Sequence, residues 1–259
     1  MNIDQVDSNG ASLLHLAIER GDDYSAMFLL DHGAKVNGKR FLDQSTPLHL
    51  TAQHSSMTGV AEALLDQGAS MEAATKLEQF IPMHLAIEKE NHTLFQLLLD
   101  RGSPLETPSG EGFPPLWYAL LINDKAMAIQ LIEKGASVNS LCDNDGNTLV
   151  HSLIKLGCQD AAIFMVENGA DVNMTNRKGQ GALHLSALKG LAKLAKALLE
   201  HGASPNVQTV FKSDSDYSYR QTPLHLAIEA KQTDVIDVLL ESKSESPKID
   251  LNIKNSSGT

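Results

Sequence analysis

Cysteine, aromatic side chains, excess positive charge and long apolar runs are all scarce in this sequence, and each scarcity removes a class of protein. Two cysteines among 259 residues, Cys142 and Cys158, cannot build a disulfide framework, and such residues usually serve as small buried hydrophobes. No uncharged apolar stretch reaches the ~18 residues that read as a membrane-spanning helix. The first twenty residues, MNIDQVDSNGASLLHLAIER, lack the basic flank and apolar run of a secretory signal. A cytoplasmic chain without direct membrane insertion is the expectation. With 32 acidic against 21 basic residues and a formal net charge of -11, bulk electrostatics disfavour nucleic acid or anionic lipid as partners. Basic or mixed protein surfaces fit better. Catalytic signatures are missing too: there is no G-x-G-x-x-G, P-loop, H-E-x-x-H or C-x-x-C.

What the sequence has is self-similarity. The stretch TPLHLAIEAKQTDVIDVLL has six relatives, among them SLLHLAIERGDDYSAMFLL, IPMHLAIEKENHTLFQLLL and PPLWYALLINDKAMAIQLI. Their shared fourth position holds His15, His49, His84, Trp117, His151, His184 and His225, at intervals of 34, 35, 33, 34, 33 and 41 residues. Seven units follow, over about 7–37, 41–73, 76–106, 109–139, 143–173, 176–206 and 217–252, with a long insertion at 207–221. Ser12, Thr46, Thr148 and Thr222 stand where an N-cap oxygen takes orphan backbone N–H groups, and Pro47, Pro82, Pro115 and Pro223 follow at the first helical position. A second apolar run, such as VAEALL, marks a second helix, ended by Gly33, Gly68, Gly102, Gly135, Gly169 or Gly202. Each unit therefore reads as helix, turn, helix. Polar segments such as CDNDGN and TNRKGQ read as turns or hairpin-like fingers between units.

This period, with TPLHLA and the trailing GADVN-type segment, resembles the ankyrin repeat over essentially the whole chain. The resemblance implies an all-α solenoid of seven repeats, with first helices and fingers lining a concave face and second helices forming the convex back. A pair of short helices cannot bury its apolar face alone, so neighbours must stack and share a core. The whole of 1–259 is expected to be one array.

Histidine is the usual general base and the commonest metal ligand, so six in one slot raise the question of an enzyme or a metal site. Stacked helices stand about 8–10 Å apart, whereas two ligands of one zinc lie within about 4 Å of each other, given metal–nitrogen bonds of ~2 Å. Equivalent histidines therefore cannot share an ion. They are expected to hydrogen-bond the backbone near the helix start, and Trp117 in the same slot agrees. Cys142 with His151 nine residues later lacks a partner to orient the base. Asp31, Glu62, Glu133, Glu167, Glu200 and Asp237 read as a solvated face. No catalytic residue, metal site or cofactor is expected.

Function should sit where the copies differ and stacking does not constrain them. Two slots late on the first helix, open to the groove in the ankyrin pattern, hold Glu19 and Arg20, Gln53 and His54, Glu88 and Lys89, Leu121 and Ile122, Lys155 and Leu156, Leu188 and Lys189, Glu229 and Ala230. The middle copies turn apolar. The finger slot before each cap holds Ala11, Ser45, Phe80, Phe113, Asn147, Gln180 and Gln221. The expected partner site on the concave face, for another protein or peptide, has Phe80, Phe113, Leu121, Ile122 and Leu156 as apolar anchors and Arg177, Lys178 and Lys189 as a basic flank. The alternative is that these apolar groups pack against the neighbouring finger. In the insertion, VQTVFKSDSDYSYRQ, Tyr217 and Tyr219 are the candidates for partner contact or modification, against a plain surface loop. The closing DLNIKNSSGT stops where an eighth repeat would begin, so a longer array is expected.

A narrower likeness rests on QDAAIFMVENGADVN, GALHLSALKGLAKLAKALLEHGASPNVQT, QTPLHLAI and the tryptophan of PPLWYAL. These are similar to the rabankyrin-type ankyrin and FYVE-domain endosomal proteins, well over the last 150 residues and more loosely before them. The resemblance implies a cytosolic Rab-effector adaptor of endocytic traffic, recruited to early endosomes through regions outside this chain, with an endosomal GTPase or trafficking complex as partner. Neither the BTB nor the FYVE region of that family is in this sequence, and its Asn-Pro-Phe motif is absent, so membrane and zinc binding do not belong to these residues. The other reading is a regulatory array acting in cis within a larger enzyme or transcriptional regulator.

Overall fold

In the computed structural model the residues described are 3–210, 220–241, 248–255 and 258. Among them are fourteen α-helices in seven pairs. The chain divides into two compact units, Met1–Ala136 and Ser137–Thr259. The first unit holds α1 (Leu13–Glu19) and α2 (Asp23–Asp31), α3 (Pro47–Leu50) and α4 (Thr58–Asp66), α5 (Pro82–Glu88) and α6 (His92–Asp100), α7 (Pro115–Leu121) and α8 (Lys125–Glu133). The second holds α9 (Leu149–Leu156) and α10 (Gln159–Glu167), α11 (Ala182–Lys189) and α12 (Ala192–Glu200), α13 (Pro223–Glu229) and α14 (Thr233–Glu241). Within each unit, first helices stack on first helices and second on second, so two helical layers enclose the core.

Helices of seven to nine residues are too short to stand alone in water, and tertiary burial holds them. Leu14, Ile18 and Leu30 in the first copy, and Leu153, Ile154 and Met165 in the fifth, are removed from solvent. Each such side chain contributes about 1.5–3 kcal/mol. Of the expected caps, the side chains of Ser12, Thr148 and Thr222 accept from the backbone N–H three residues on, while the Thr46 hydroxyl makes no such bond and meets His49 Nδ1 at 2.8 Å. Proline occupies the first helical position of α3, α5, α7 and α13. The glycines after the second helices take the left-handed conformation, from Gly102 at φ 76° to Gly135 at φ 102°. The six carboxylates assigned to a solvated face are all exposed.

The second copy departs from the pattern. Its first helix stops after one turn and continues as 3₁₀ turns over Thr51–Gln53 and Ser55–Met57, and at the break the Thr51 hydroxyl donates to the Leu48 carbonyl at 2.7 Å. This backbone competition is typical of threonine in short helices, and the turn absorbs the extra residue of the 35-residue interval.

Fingers are turns closed by isolated antiparallel bridges, Val6 with Ser12, Leu141 with Thr148 and Thr175 with Gly181. Successive fingers within each unit are stitched by one backbone bond. In the first, Phe41, Lys76 and Gly110 donate to the carbonyls of Asn9, Asp43 and Glu78 at 2.7–2.8 Å; in the second, Arg177 and Val210 donate to Asp145 and Lys178 at 2.8 and 2.9 Å. At the opposite end of the repeat an asparagine clamps the next copy. Asn173 Nδ2 donates to the Gly202 carbonyl at 3.1 Å and its Oδ1 accepts from the Ser204 N–H at 2.9 Å. Asn37 holds Gly68 and Ser70 in the same way. The insertion is pinched at its base, where the Thr209 N–H donates to the Gln221 carbonyl at 3.0 Å.

Candidate functional site

The histidine slot is the first chemistry to place. In each of the six copies the N-cap N–H (Ser12, Thr46, Ile81, Thr148, Gly181, Thr222) donates to histidine Nδ1 at 3.1–3.3 Å. Nδ1 is then the acceptor and Nε2 carries the proton. Nε2 donates across to the next finger: His15 to the Gly38 carbonyl at 3.1 Å, His49 to Phe80 at 3.0 Å, His151 to Gln180 at 2.9 Å and His184 to Val207 at 2.9 Å. His84 differs, its Nε2 making no hydrogen bond, although the Phe113 carbonyl is near enough to oppose the fall of its pKa. Burial pushes His49, His84 and His184 down to about 4, and also lowers His15 and His151. His15, His49, His151 and His184, with both ring nitrogens bonded to the backbone, have no lone pair for a substrate or a metal. Among the described residues, no group of three or more His, Cys, Asp or Glu is placed to hold an ion.

Trp117 now has a reason. The N-cap of its helix is Pro114, which has no N–H for a histidine Nδ1 to accept. The indole instead stacks on Phe113, with ring centroids 4.1 Å apart and planes 8° from parallel. Cys142 is buried and its thiol is pushed up to about 11, chiefly by desolvation. A thiol in that state is a poor nucleophile, and His151, nine residues on, is committed to the backbone.

The expected anchors separate into two kinds. Phe80 is a correction: only 8 % exposed, it stacks on His84 at 5.2 Å and meets Tyr118 edge-on at 5.0 Å. Its ring is spent inside the first unit. Phe113 is half-buried against Trp117, and Ile122, the C-cap of α7, is half-buried. Leu121 stands 42 % exposed at the end of α7. In the second unit Leu156, at the end of α9, is 62 % exposed, and Arg177, Lys178 and Lys189 are exposed. Tyr217 and Tyr219 lie outside the described residues.

Sequence reasoning missed the polar hollow beside Phe80. A cavity of about 310 Å³ opens between the fingers and first helices of the second and third copies, lined by Arg40, Asp43, His49, Glu78, Phe80 and Glu88. Arg40 pairs with Asp43 and, at 3.0 Å, with Glu19. Burial pushes the Asp43 carboxyl up, but hydrogen bonds from Arg40 and Ser45 outweigh it and hold the group at about 2. The signal was there in the finger's Arg40 and Asp43, three residues apart, yet nothing local tells that Glu19 of the preceding copy closes the trio.

A family model described as ankyrin repeats (3 copies) matches residues 1–75, 83–176, 137–209 and 169–255. Rabankyrin-5 of Mus musculus and of Homo sapiens are each 34 % identical over 289 aligned residues, covering 95 % of this chain and 25 % of theirs. The chain thus spans about a quarter of the length of those relatives. The nuclear factor NF-kappa-B p105 subunit of Gallus gallus is 28 % identical over 210 residues, covering 78 % of this chain and 21 % of its own. Among solved structures, the ankyrin repeat domain of Bcl-3 aligns with a TM-score of 0.77 at 25 % identity, covering 90 % of this chain and 99 % of that one. No helix among the described residues is long and apolar enough to cross a membrane.

Proposed function

This chain belongs to the ankyrin repeat family, a protein-interaction module, and from that premise we propose that it is a non-catalytic scaffold binding another protein along its fingers and first-helix ends. The observation that carries the reading is the contrast between the slots. The repeated histidines His15, His49, His151 and His184 are turned into the backbone, while Leu121 at the end of α7 in the first unit and Leu156 at the end of α9 in the second each leave apolar surface in water. Apolar groups exposed beside a polar rim are what interfaces use as anchors. In the first unit Leu121, Ile122 and Phe113 are the contact residues; in the second they are Leu156, Arg177, Lys178 and Lys189. Phe80 is withdrawn from the set.

The likeness to Rabankyrin-5 over 95 % of the chain supports the ankyrin region of an endosomal trafficking adaptor, cytoplasmic and working with an endosomal GTPase or trafficking complex. A second reading is a regulatory array that binds its own longer chain in cis, favoured by the likeness to the NF-kappa-B p105 subunit and Bcl-3. Cross-linking capture from cytosol, with the native chain beside Leu121→Arg and Phe113→Ala, tests the proposal. Loss of specific partners in the variants, with unchanged circular dichroism, is the expected result; an unchanged partner set removes it. Recovery of segments from the protein's own longer chain in place of trafficking proteins selects the cis reading.

A further inference from the structure

The second unit carries a surface whose chemistry specifies its occupant more narrowly. Helices α9 and α11 are neighbours, and Lys189 Nζ donates to the Lys155 carbonyl at 3.0 Å, which sets their C-terminal ends side by side. These ends read Lys155-Leu156 and Leu188-Lys189, with Leu156 62 % and Leu188 44 % exposed. Arg177 and Lys178 project from the finger at 176–179, whose backbone is bonded to Asp145 of the preceding finger at 2.8 Å. Among the described residues, none of Lys155, Arg177, Lys178 or Lys189 has a carboxylate within 4.0 Å. Among the described residues, Asp143 feels Lys155, Asp145 lies on the same finger and Glu229 ends α13, the helix stacked on α11.

The concentration is not a reflection of composition. The chain is -11 overall, and the first unit holds 18 acidic against 9 basic residues, but the second holds 14 against 12. Four cations with no carboxylate within 4.0 Å among the described residues stand on the finger and helix ends that carry two exposed leucines, in a protein otherwise rich in carboxylates. The lysines also lie at helix C-termini, where a cation is favoured by the backbone dipole, but that does not account for Arg177 and Lys178 on the finger, nor for leucine in slots that hold glutamate, arginine, glutamine or histidine in the first two copies. A solvated face needs neither.

We propose that the surface formed by Lys155, Leu156, Leu188, Lys189, Arg177 and Lys178 docks an extended acidic peptide in which bulky apolar residues alternate with aspartate or glutamate. The leucines take the apolar side chains, and the lysines and the arginine fork take the carboxylates. The inference rests on the scaffold reading above and names the partner chemistry for its second unit.

The test is fluorescence anisotropy with three labelled synthetic peptides: one alternating Glu with Leu or Phe, one with Lys replacing every Glu, and one with Ser replacing every apolar residue. The first should bind the native chain, and the other two at least about tenfold more weakly, since charge pairs and apolar anchors act together in such sites. Leu156→Asp with Lys189→Glu should lower affinity for the first peptide by about tenfold or more, and Arg177→Glu should steepen that loss, because both anchors and charges are then opposed. Every substituted side chain is exposed, so native circular dichroism is expected and is measured as the control. Equal binding of the Lys-substituted peptide, or insensitivity to Leu156→Asp with Lys189→Glu, overturns the proposal. So does concentration-dependent self-association of the native chain that the same variant abolishes, which would give the surface to a second copy. If no peptide binds while Leu121→Arg still changes the captured partners, this inference fails and the scaffold reading stands.

Discussion

A buried hydroxyl with nothing to bond is the clearest residue-scale consequence of repetition. Ser103 sits 4 % exposed with an Oγ that finds no partner, at the place where the other copies up to the sixth put Ala34, Ala69, Ala136, Ala170 and Ala203. Ser103→Ala should therefore raise unfolding free energy by about 1 kcal/mol, since it removes an unsatisfied polar group; a urea titration showing a loss would sink the reasoning. Trp117 gives the opposite case. Restoring the majority residue with Trp117→His should destabilise by about 2–4 kcal/mol, because the indole's stacking on Phe113 is lost and a cavity remains. Pro114 cannot donate to the new imidazole, so Pro114→Ser together with Trp117→His should recover part of the loss. No recovery would mean that the N-cap N–H is not what the histidine slot serves.

At the scale of elements, the fingers and clamps join copies as firmly as the helices fill them. Gly179 sits at φ 68° with the Val210 backbone nitrogen 2.5 Å from where a Cβ would stand. Gly179→Ala thus meets both a disfavoured conformation and an immovable neighbour, and should cost about 1–3 kcal/mol. Asn173→Ala removes both bonds of a clamp and should cost about 1–2 kcal/mol. Hydrogen exchange is the discriminating measurement: the N–H of Ser204 should lose protection in Asn173→Ala, and unchanged exchange there would show the clamp to be idle. Helix existence, caps and turns were legible because they depend on residues within a few positions of one another. The fates of Phe80 and Phe113 were not. They fill the same slot in consecutive copies, but Phe80 is covered by Tyr118 of the copy that follows, while Phe113 leans on Trp117 of its own copy.

For the whole molecule, the histidine slot makes stability a function of pH. His49, His84 and His184 titrate near 6.5 when free of the fold and near 4 within it, because burial disfavours the imidazolium. Between those values the unfolded chain binds more protons than the folded one. Stability is complete above about pH 6.5 and falls as pH drops toward 4, by about 1.4 kcal/mol per unit for each such histidine. Lowering of Asp43 to about 2 adds a second, more acidic window, whose contribution is present above pH 3.8 and lost as pH falls through 2. Urea midpoints at pH 7.5, 5.5 and 4.5 should decline in that order; equal midpoints would mean that the imidazoles are accessible to protons in the fold.

Sequence by itself determined the repeat, its caps and the structural use of its histidines, because each follows from period, local hydrogen-bonding chemistry and the spacing of stacked helices. It also pointed to Leu121 and Leu156 as free, since their slots lie outside the stacking stripe. Only the tertiary structure decided that Phe80 is interior, that Glu19, Arg40 and Asp43 form one group, that Ser103 is stranded, and that the end of α11 with Leu188 and Lys189 lies beside the end of α9 with Lys155 and Leu156. Each of these depends on which side chain a neighbouring copy presents some thirty residues away, and a repeat's own pattern fixes where that neighbour sits but not what it offers.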